Sequence, residues 1–212
     1  SALTLLAQGE NRGIGAAQNA GIAMARQHGS RYVLLLDHDS IPEADMVATL
    51  RAAIEDQPAG SPPVAAAGPR YADARQTTNP SPFVQLEGFK RVRCECQHAG
   101  QLIEVEHLIA SGSLIPMAVL DAVGDMDERL FIDYVDIEWC LRAAHAGYRM
   151  LGVCDARMQH ELGDTPIRFM GKHLPDHSPL RHYYLFRNAL LLQRMPHIGW
   201  RWKVVDAYQT VM

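Results

Sequence analysis

Apolar residues fall along this chain in two spacings, short unbroken runs and broader stripes at helical period. The clearest run is Tyr32-Val33-Leu34-Leu35-Leu36, which ends abruptly in Asp37-His38-Asp39-Ser40. A run of that kind reads as a strand buried on both faces, in a parallel sheet covered by helices. Residues 3–7 form a second, shorter run that also reads as a strand. Between them, residues 14–28 are rich in helix formers such as Ala16, Ala17, Gln18, Ala20 and Met24, with Gly29 as a C-terminal stop. Strand, helix and strand in succession predict a βαβ unit with a parallel pair. The chain opens directly on this first strand, as though it begins inside a fold.

Further on, the pattern predicts a helix over 43–55 with Pro42 at its start and a strand over 64–67 ending in Gly68-Pro69. A polar, turn-rich loop over 70–82 follows. Residues 91–96 and 101–106 both alternate and flank His98-Ala99-Gly100, which predicts a hairpin and makes the sheet mixed. A short helix begun by Pro116, a helix over the 131–142 region stopped by Gly147, and a strand over 148–153 come next, and then an irregular stretch to His160. From Ser178 on, Leu180, Tyr183, Tyr184, Phe186 and Leu190 give a helix with a wide apolar face, broken by Pro196 before a last helix at Trp200. The expected architecture is one α/β domain over 1–212, with a mixed, mainly parallel central sheet flanked by helices and a helical extension over 178–212.

Composition narrows the function classes. Hydrophobic residues make up 48% and charged residues 21%, which is globular rather than disordered. A net charge of −4 and a pI near 6.2 leave no basic footprint for nucleic acid. The four cysteines, Cys94, Cys96, Cys140 and Cys154, contain no C-x-x-C pair and read as reduced thiols of a cytosolic protein. No apolar stretch is long enough to span a bilayer, and no signal peptide is recognisable.

Candidate chemistry starts at Asp37 and Asp39. Two acids bracketing one residue where a buried strand leaves the sheet occupy the place where ligands bind in open α/β folds. Converging carboxylates there form a hard site for Mg²⁺ or Mn²⁺ with a diphosphate as co-ligand. His160, following a strand, can complete such a shell through its neutral imidazole. Asp136, near a helix start, fits a general base that takes a proton from a hydroxyl, although acids there also simply complement the helix dipole. Arg142 stands four residues after Glu138 and can pair with it on one helix face. Arg181, in the donor-dense run from Ser178 to Tyr184, can meet a phosphate bidentately or sit on a solvated face. Trp200, Arg201, Trp202 and Lys203 suit an anionic bilayer surface, a partner helix or plain packing. Gly13-Ile14-Gly15 hints at a dinucleotide fingerprint, but Gln18 replaces the third glycine and no acid follows at ribose distance. A glycine-rich helix start packed on the sheet explains it as well. Serine-hydrolase, zincin and P-loop signatures are absent.

In their order, these motifs resemble family 2 glycosyltransferases of the GT-A fold, and most of all bacterial rhamnosyltransferases. The residues that carry the resemblance are Glu10-Asn11-Arg12-Gly13-Ile14-Gly15 through Gly21, Leu36-Asp37-His38-Asp39-Ser40, Ser111-Gly112-Ser113-Leu114-Ile115, Phe131 to Arg142, His160, and His177 to Asn188. They span nearly the whole chain. The resemblance implies that Asp37 and Asp39 are the Asp-x-Asp motif, with Asp39 the direct metal ligand and His160 completing the shell. It implies Asp136 as catalytic base, although Val135 stands where the family commonly has Glu. Substrate contacts are implied at Asp37, Asn11, Gly13, Ser111, Gly112, Glu138, Arg142 and Arg181. The implied reaction is inverting transfer of a sugar, L-rhamnose from dTDP-L-rhamnose, with Mn²⁺ or Mg²⁺. The implied acceptor is a bacterial surface polysaccharide or lipid-linked glycan at the cytoplasmic face of the membrane, with room for peripheral membrane contact and for a homo-oligomer. Family members also carry a first strand and helix, ending in an Asp that helps bind the nucleotide base, ahead of the segment matching residues 3–7; no counterpart precedes Leu3 here.

Two other readings stay open at this point. A sugar-nucleotide nucleotidyltransferase shares the layout and the metal. A non-catalytic nucleotide-sugar-binding module needs only the binding half of the site.

Overall fold

The computed structural model describes residues 3–73, 81–160, 167–169, 172–174 and 178–211. Its centre is a six-stranded sheet in the order β1 (Tyr32–Leu34), β7 (Leu114–Pro116), β3 (Val64–Ala72), β8 (Arg149–His160) and β2 (Ser40–Pro42), with β6 (Leu102–Val105) also paired to β8. Helix α2 (Met46–Glu55) covers one face through Met46, Leu50 and Ala53, which meet Ala67, Leu114, Val153 and Met158. Helices α1 (Ile14–Gln27), α3 (Met117–Val123) and α4 (Val135–His145) cover the other, where Ile22, Leu120 and Trp139 join the larger core. Two C-terminal helices, α5 (Pro179–Gln193) and α6 (Trp200–Val211), add Leu192 and Trp202 to that core, and the turn between them adds Ile198.

The mixed α/β architecture agrees with expectation, but the sheet is mainly antiparallel rather than mainly parallel. Among the described pairs of the large sheet, only β3 and β8 run parallel. The small, continuously buried run Val64–Ala67 lies at this parallel pairing, between helix layers on both faces. Tyr32–Leu34, by contrast, forms an edge strand paired antiparallel to β7. Residues 3–7 are not a strand. No described strand lies beside them to accept their hydrogen bonds, and Leu3 and Leu5 are almost fully exposed. The predicted parallel βαβ pair is therefore not formed.

Two further expectations change with non-local pairing. The hairpin is made by β4 (Val84–Glu87) and β5 (Lys90–Arg93), turning at Gly88, while β6 leaves to pair with β8. That pairing brings Cys96 beside Cys154, and they form a disulfide across 58 residues. Only Cys94 and Cys140 are free thiols, which corrects the reading of all four as reduced. Strand β8 does not stop at Val153. Its register against β3 jumps from Pro69–Val153 to Arg70–Arg157, and beyond that irregularity it runs on to His160. Proline in a strand is tolerated at such a bulge because no ladder hydrogen bond is asked of it there. Helix α2 starts at Met46 because Pro42 belongs to β2. The loop expected over 70–82 is strand as far as Ala72, and residues 74–80 lie outside the described ones.

Candidate active site

The site lies where three strands meet. After β1 the chain turns at Asp37, whose carbonyl accepts from the Ser40 N–H at 3.1 Å. Strand β2 then runs antiparallel to the end of β8, placing Ser40 opposite His160. The loop before β7 closes the third side. Gly112 N–H donates to Leu35 O at 2.8 Å, and Leu35 N–H donates to Ser113 O at 3.0 Å. Gly112 has φ +84°, and a Cβ there would come 2.6 Å from Pro69, so this loop can lie flat against β3 only with glycine.

Ligand atoms of Asp37, Asp39 and His160 come within 4.8 Å of one another. Asp39 Oδ1 is 3.2 Å from His160 Nδ1 and, although buried, accepts no hydrogen bond. A chain of short contacts holds the group from behind. Asp37 N–H donates to Ser111 Oγ at 3.1 Å, Ser111 Oγ meets Ser40 Oγ at 2.7 Å, and Ser40 Oγ meets His160 Nδ1 at 2.8 Å. An orphaned, buried carboxylate oxygen beside a second carboxylate and an imidazole is a donor set suited to a hard divalent cation such as Mn²⁺ or Mg²⁺. The residues present therefore fit the implied ion.

Asp136 sits in the first turn of α4, where both carboxylate oxygens are held. Oδ2 accepts from Ala110 N–H at 3.1 Å, and Oδ1 accepts from Ile137 N–H at 2.9 Å. The residue keeps some exposed surface, yet the protein packed around its carboxylate pushes the pKa up from the ordinary 3.8, with those backbone donors opposing the shift. Ala110 adjoins Ser111, so one loop touches both Asp136 and the backbone of the acidic pair. Tyr71 lies between the two groups. Its ring meets His160 edge-on at 5.9 Å, and burial raises its hydroxyl pKa, with Arg93 lowering it and Asp136 raising it.

The segment entering α4 is strained. Phe131, Asp133 and Tyr134 all have φ near +60°, uncommon for side-chain-bearing residues and worst for bulky ones. Asn188 of α5 holds it. Its fully buried amide Nδ2 faces the carbonyls of Leu130, Ile132 and Asp133 at 2.8, 2.8 and 3.0 Å. Arg181 grips Asp133, with Nη2 to Oδ1 at 3.0 Å and Nε to Oδ2 at 3.1 Å. Gly13 completes the packing. Its φ is +86°, and a Cβ would lie 2.5 Å from Phe131 O. The glycine-rich start of α1 thus packs on this segment rather than on the sheet. Asn11 caps the approach, its Oδ1 accepting from Gly13 N–H at 3.1 Å.

The remaining expected residues fall elsewhere. Glu138 is almost fully buried and forms a two-pronged ion pair with Arg142 at 2.9 Å, as their spacing predicts. Arg142 also donates to Val123 O and Asp125 O, and His197 Nε2 lies 2.9 Å from Glu138. The pair's hydrogen-bonding atoms thus serve the junction of α4 with the α3 end. Trp202 is core, whereas Trp200 faces outward against Phe89. His177 lies outside the described residues. Ser40 and Tyr71 were not singled out in the sequence, whereas Asp133 stands there among the acids at the start of α4 and Asn188 beside Arg187 in a donor-dense stretch. A polar residue after the Asp-x-Asp pair, and an Asn inside an otherwise apolar helical stripe, were the available signals.

Comparison with known proteins gives likenesses in sequence and in fold. The sequence profile described as glycosyl transferase family 2 matches residues 2–100. The dTDP-rhamnosyl transferase RfbF of Shigella flexneri is 33% identical over 195 residues, covering 92% of this chain and 64% of that protein. The chain thus spans somewhat under two thirds of that relative's length. Among solved structures, GalNAc-T7 crystallised with UDP, GalNAc and Mn²⁺ superposes with a TM-score of 0.56 at 14% identity, over 93% of this chain and 41% of that one. TarS of S. aureus gives 0.55 at 10% identity, over 97% and 32%. Those two likenesses bear on the fold alone, while the profile match over residues 2–100 and the identity with RfbF make this chain similar in sequence to glycosyltransferases of family 2.

Proposed function

We propose that the protein transfers a deoxyhexose, L-rhamnose from dTDP-L-rhamnose, to a hydroxyl of a surface-polysaccharide or lipid-linked glycan with inversion at the anomeric carbon. The observation that carries the reading is the single loop, Ala110 to Ser113, that contacts both the Asp136 carboxylate and the backbone of the Asp37–Asp39 pair. It puts a proton acceptor and a cation-type cluster on one scaffold. The donor identity rests on the relative from Shigella flexneri. The likeness to family 2 weighs against nucleotidyl transfer, and the retained Asp136 weighs against a binding-only module.

In this proposal Asp37, Asp39 and His160 hold Mn²⁺ or Mg²⁺, which supplies positive charge to a departing diphosphate. Asp136 takes the proton of the acceptor hydroxyl as its oxygen attacks from the face opposite the nucleotide. Both carboxylate oxygens keep a lone pair free beyond their backbone bonds, and the fixed N–H donors orient the group before the acceptor arrives. Asn11, Gly13, Ser111 and Gly112 shape the donor cleft through backbone placement. Arg181, by holding Asp133, and Glu138 with Arg142, by fixing α4, position the base. The acceptor's membrane face is read as cytoplasmic; among the described residues no helix is long and apolar enough to cross a membrane.

Titrating dTDP and UDP, with and without Mn²⁺, into the protein and into Asp39→Ala tests the donor half. Metal-dependent binding of dTDP, lost in the variant, is expected. Equal binding by both proteins would sink the metal role. Asp136→Asn should keep donor binding while turnover drops by roughly 10²–10⁴-fold, the usual loss of a general base.

A further inference from the structure

Helix α5 is apolar on both of its sides. The inner side buries Asn188, Ala189 and Leu192 against the core and the strained segment. The outer side of a surface helix is ordinarily polar. Here Tyr183, Arg187, Leu190 and Arg194 follow at spacings of four, three and four residues, which is one line along a helix. Leu180 and Phe186 flank that line. Leu180, Tyr183, Phe186 and Leu190 are each more than half exposed. Single exposed apolar residues are common, but a contiguous stripe marks a surface that meets something other than water. Helix α6 repeats the pattern on a smaller scale, with Trp200, Val204 and Tyr208 exposed beside an exposed Arg201.

Charge indicates what the stripe meets. Residues 178–205 carry Arg181, Arg187, Arg194, Arg201 and Lys203 and no Asp or Glu, although the whole protein has a net charge of −4. An open groove along the stripe is lined by Tyr183, Phe186, Leu190 and Leu191 together with Arg187 and Arg194. An adjoining groove shares both arginines and adds Arg129. Among the described residues no carboxylate lines either groove. Arginines interleaved with large apolar side chains, and no acid, suit a layer that is anionic at its surface and apolar beneath. The guanidinium heads stay with the phosphates, while their stems and the neighbouring rings and Leu side chains enter the boundary. Pairing two copies through this stripe would instead set Arg187 and Arg194 of each against those of the other, with no acid to answer them.

We propose that the outward side of α5 is a docking surface for an anionic lipid bilayer. The same helix supports the site from its inner side. Arg181 holds Asp133, and the Tyr184 ring stacks on Phe131 at 4.7 Å, so α5 carries the segment that leads into Asp136. A bilayer against α5 therefore lies one helix away from the support of the base. The docking surface stands on the stripe and its charge alone. That it brings a lipid-linked acceptor towards Asp136 rests on the glycosyltransferase reading.

Vesicle co-sedimentation tests it, with vesicles of phosphatidylglycerol and phosphatidylethanolamine set against vesicles of phosphatidylcholine alone. The proteins are the wild type, Arg194→Gln, and the double variant Phe186→Ser with Leu190→Ser. These side chains face outward, so the variants should keep the fold, which circular dichroism checks. At about 0.1 M salt the wild type should bind the anionic vesicles about tenfold or more better than the neutral ones, and the difference should shrink at about 1 M. Arg194→Gln should weaken the anionic binding about fivefold, and the double variant about tenfold or more. No binding to anionic vesicles, or binding that the variants leave unchanged, overturns the proposal. Sedimentation velocity on the same samples then names the other occupant. A dimer lost in the double variant gives the stripe to a second copy, and a monomer leaves it to a protein partner. Binding of dTDP with Mn²⁺ is measured alongside. Its failure counts against the glycosyltransferase reading, whereas the vesicle result alone decides the docking surface.

Discussion

Three carbonyls converge on one amide at Asn188, and the site depends on that clamp. The backbone it holds carries positive φ at Phe131, Asp133 and Tyr134, each costing of order 1–3 kcal/mol unless its surroundings impose it. Asn188→Ala leaves those buried carbonyls unmet. We expect about 2–4 kcal/mol less stability by chemical denaturation, and slower turnover at unchanged metal affinity. Asp136 makes a prediction about pH. Its carboxyl pKa lies above the ordinary 3.8, so the base is lost on acidification at a higher pH than for an exposed Asp. kcat/KM should fall on an acidic limb above that value, and the limb should vanish in Asp136→Asn. For stability the sign is opposite to the usual Asp. The folded state binds this proton more tightly than the unfolded chain, so the group's contribution is lost as pH rises from 3.8 through the raised value. Asp37, Asp39 and His160 were legible because acids at the end of an apolar run, and a histidine after a strand, are chemically conspicuous. Ser40, Tyr71 and the clamping role of Asn188 were not, because a serine, a tyrosine and an asparagine look ordinary until a fold brings partners to them.

At the scale of elements, helices were read well and strands poorly, for one reason. A helix satisfies its hydrogen bonds within a few residues, and so α1, α4, α5 and α6 follow from local spacing, Pro and Gly. A strand needs a partner from elsewhere. Residues 3–7 read as a strand and have no strand beside them among the described residues, whereas β8 outruns its apolar pattern because β2 and β3 supply neighbours as far as His160. The α4 helix also separates chemistry from support. Glu138→Ala would leave the half-buried Arg142 without its carboxylate, although still bonded to Val123 O and Asp125 O, a loss of about 1–3 kcal/mol. Thermal unfolding should show that cost, while the KM for donor in the folded fraction stays near wild type; a raised KM would return Glu138 to the donor site. Gly13→Ala forces a Cβ against the Phe131 carbonyl, and we expect at least about 1 kcal/mol of destabilisation together with reduced turnover.

For the whole molecule, the Cys96–Cys154 bond closes a loop of 58 residues and ties the stretch before β6 to β8. Chain-entropy arguments give it about 4 kcal/mol. Cys96→Ser should lower the denaturation midpoint accordingly, and thiol counting on protein taken directly from cells will report whether its compartment lets the bond form. A different consequence follows from the strand order. Every strand of the large sheet that lies before residue 100 finds its partners after it: β1 with β7, β2 with β8, and β3 with both. The stretch that matches the family profile, residues 2–100, is thus an inherited unit of sequence and not a unit of folding. On the ribosome its strands of the large sheet must wait for β7 and β8, with only the β4–β5 hairpin able to pair before then. Produced alone, it should give the circular dichroism of a largely unfolded chain with only residual helix.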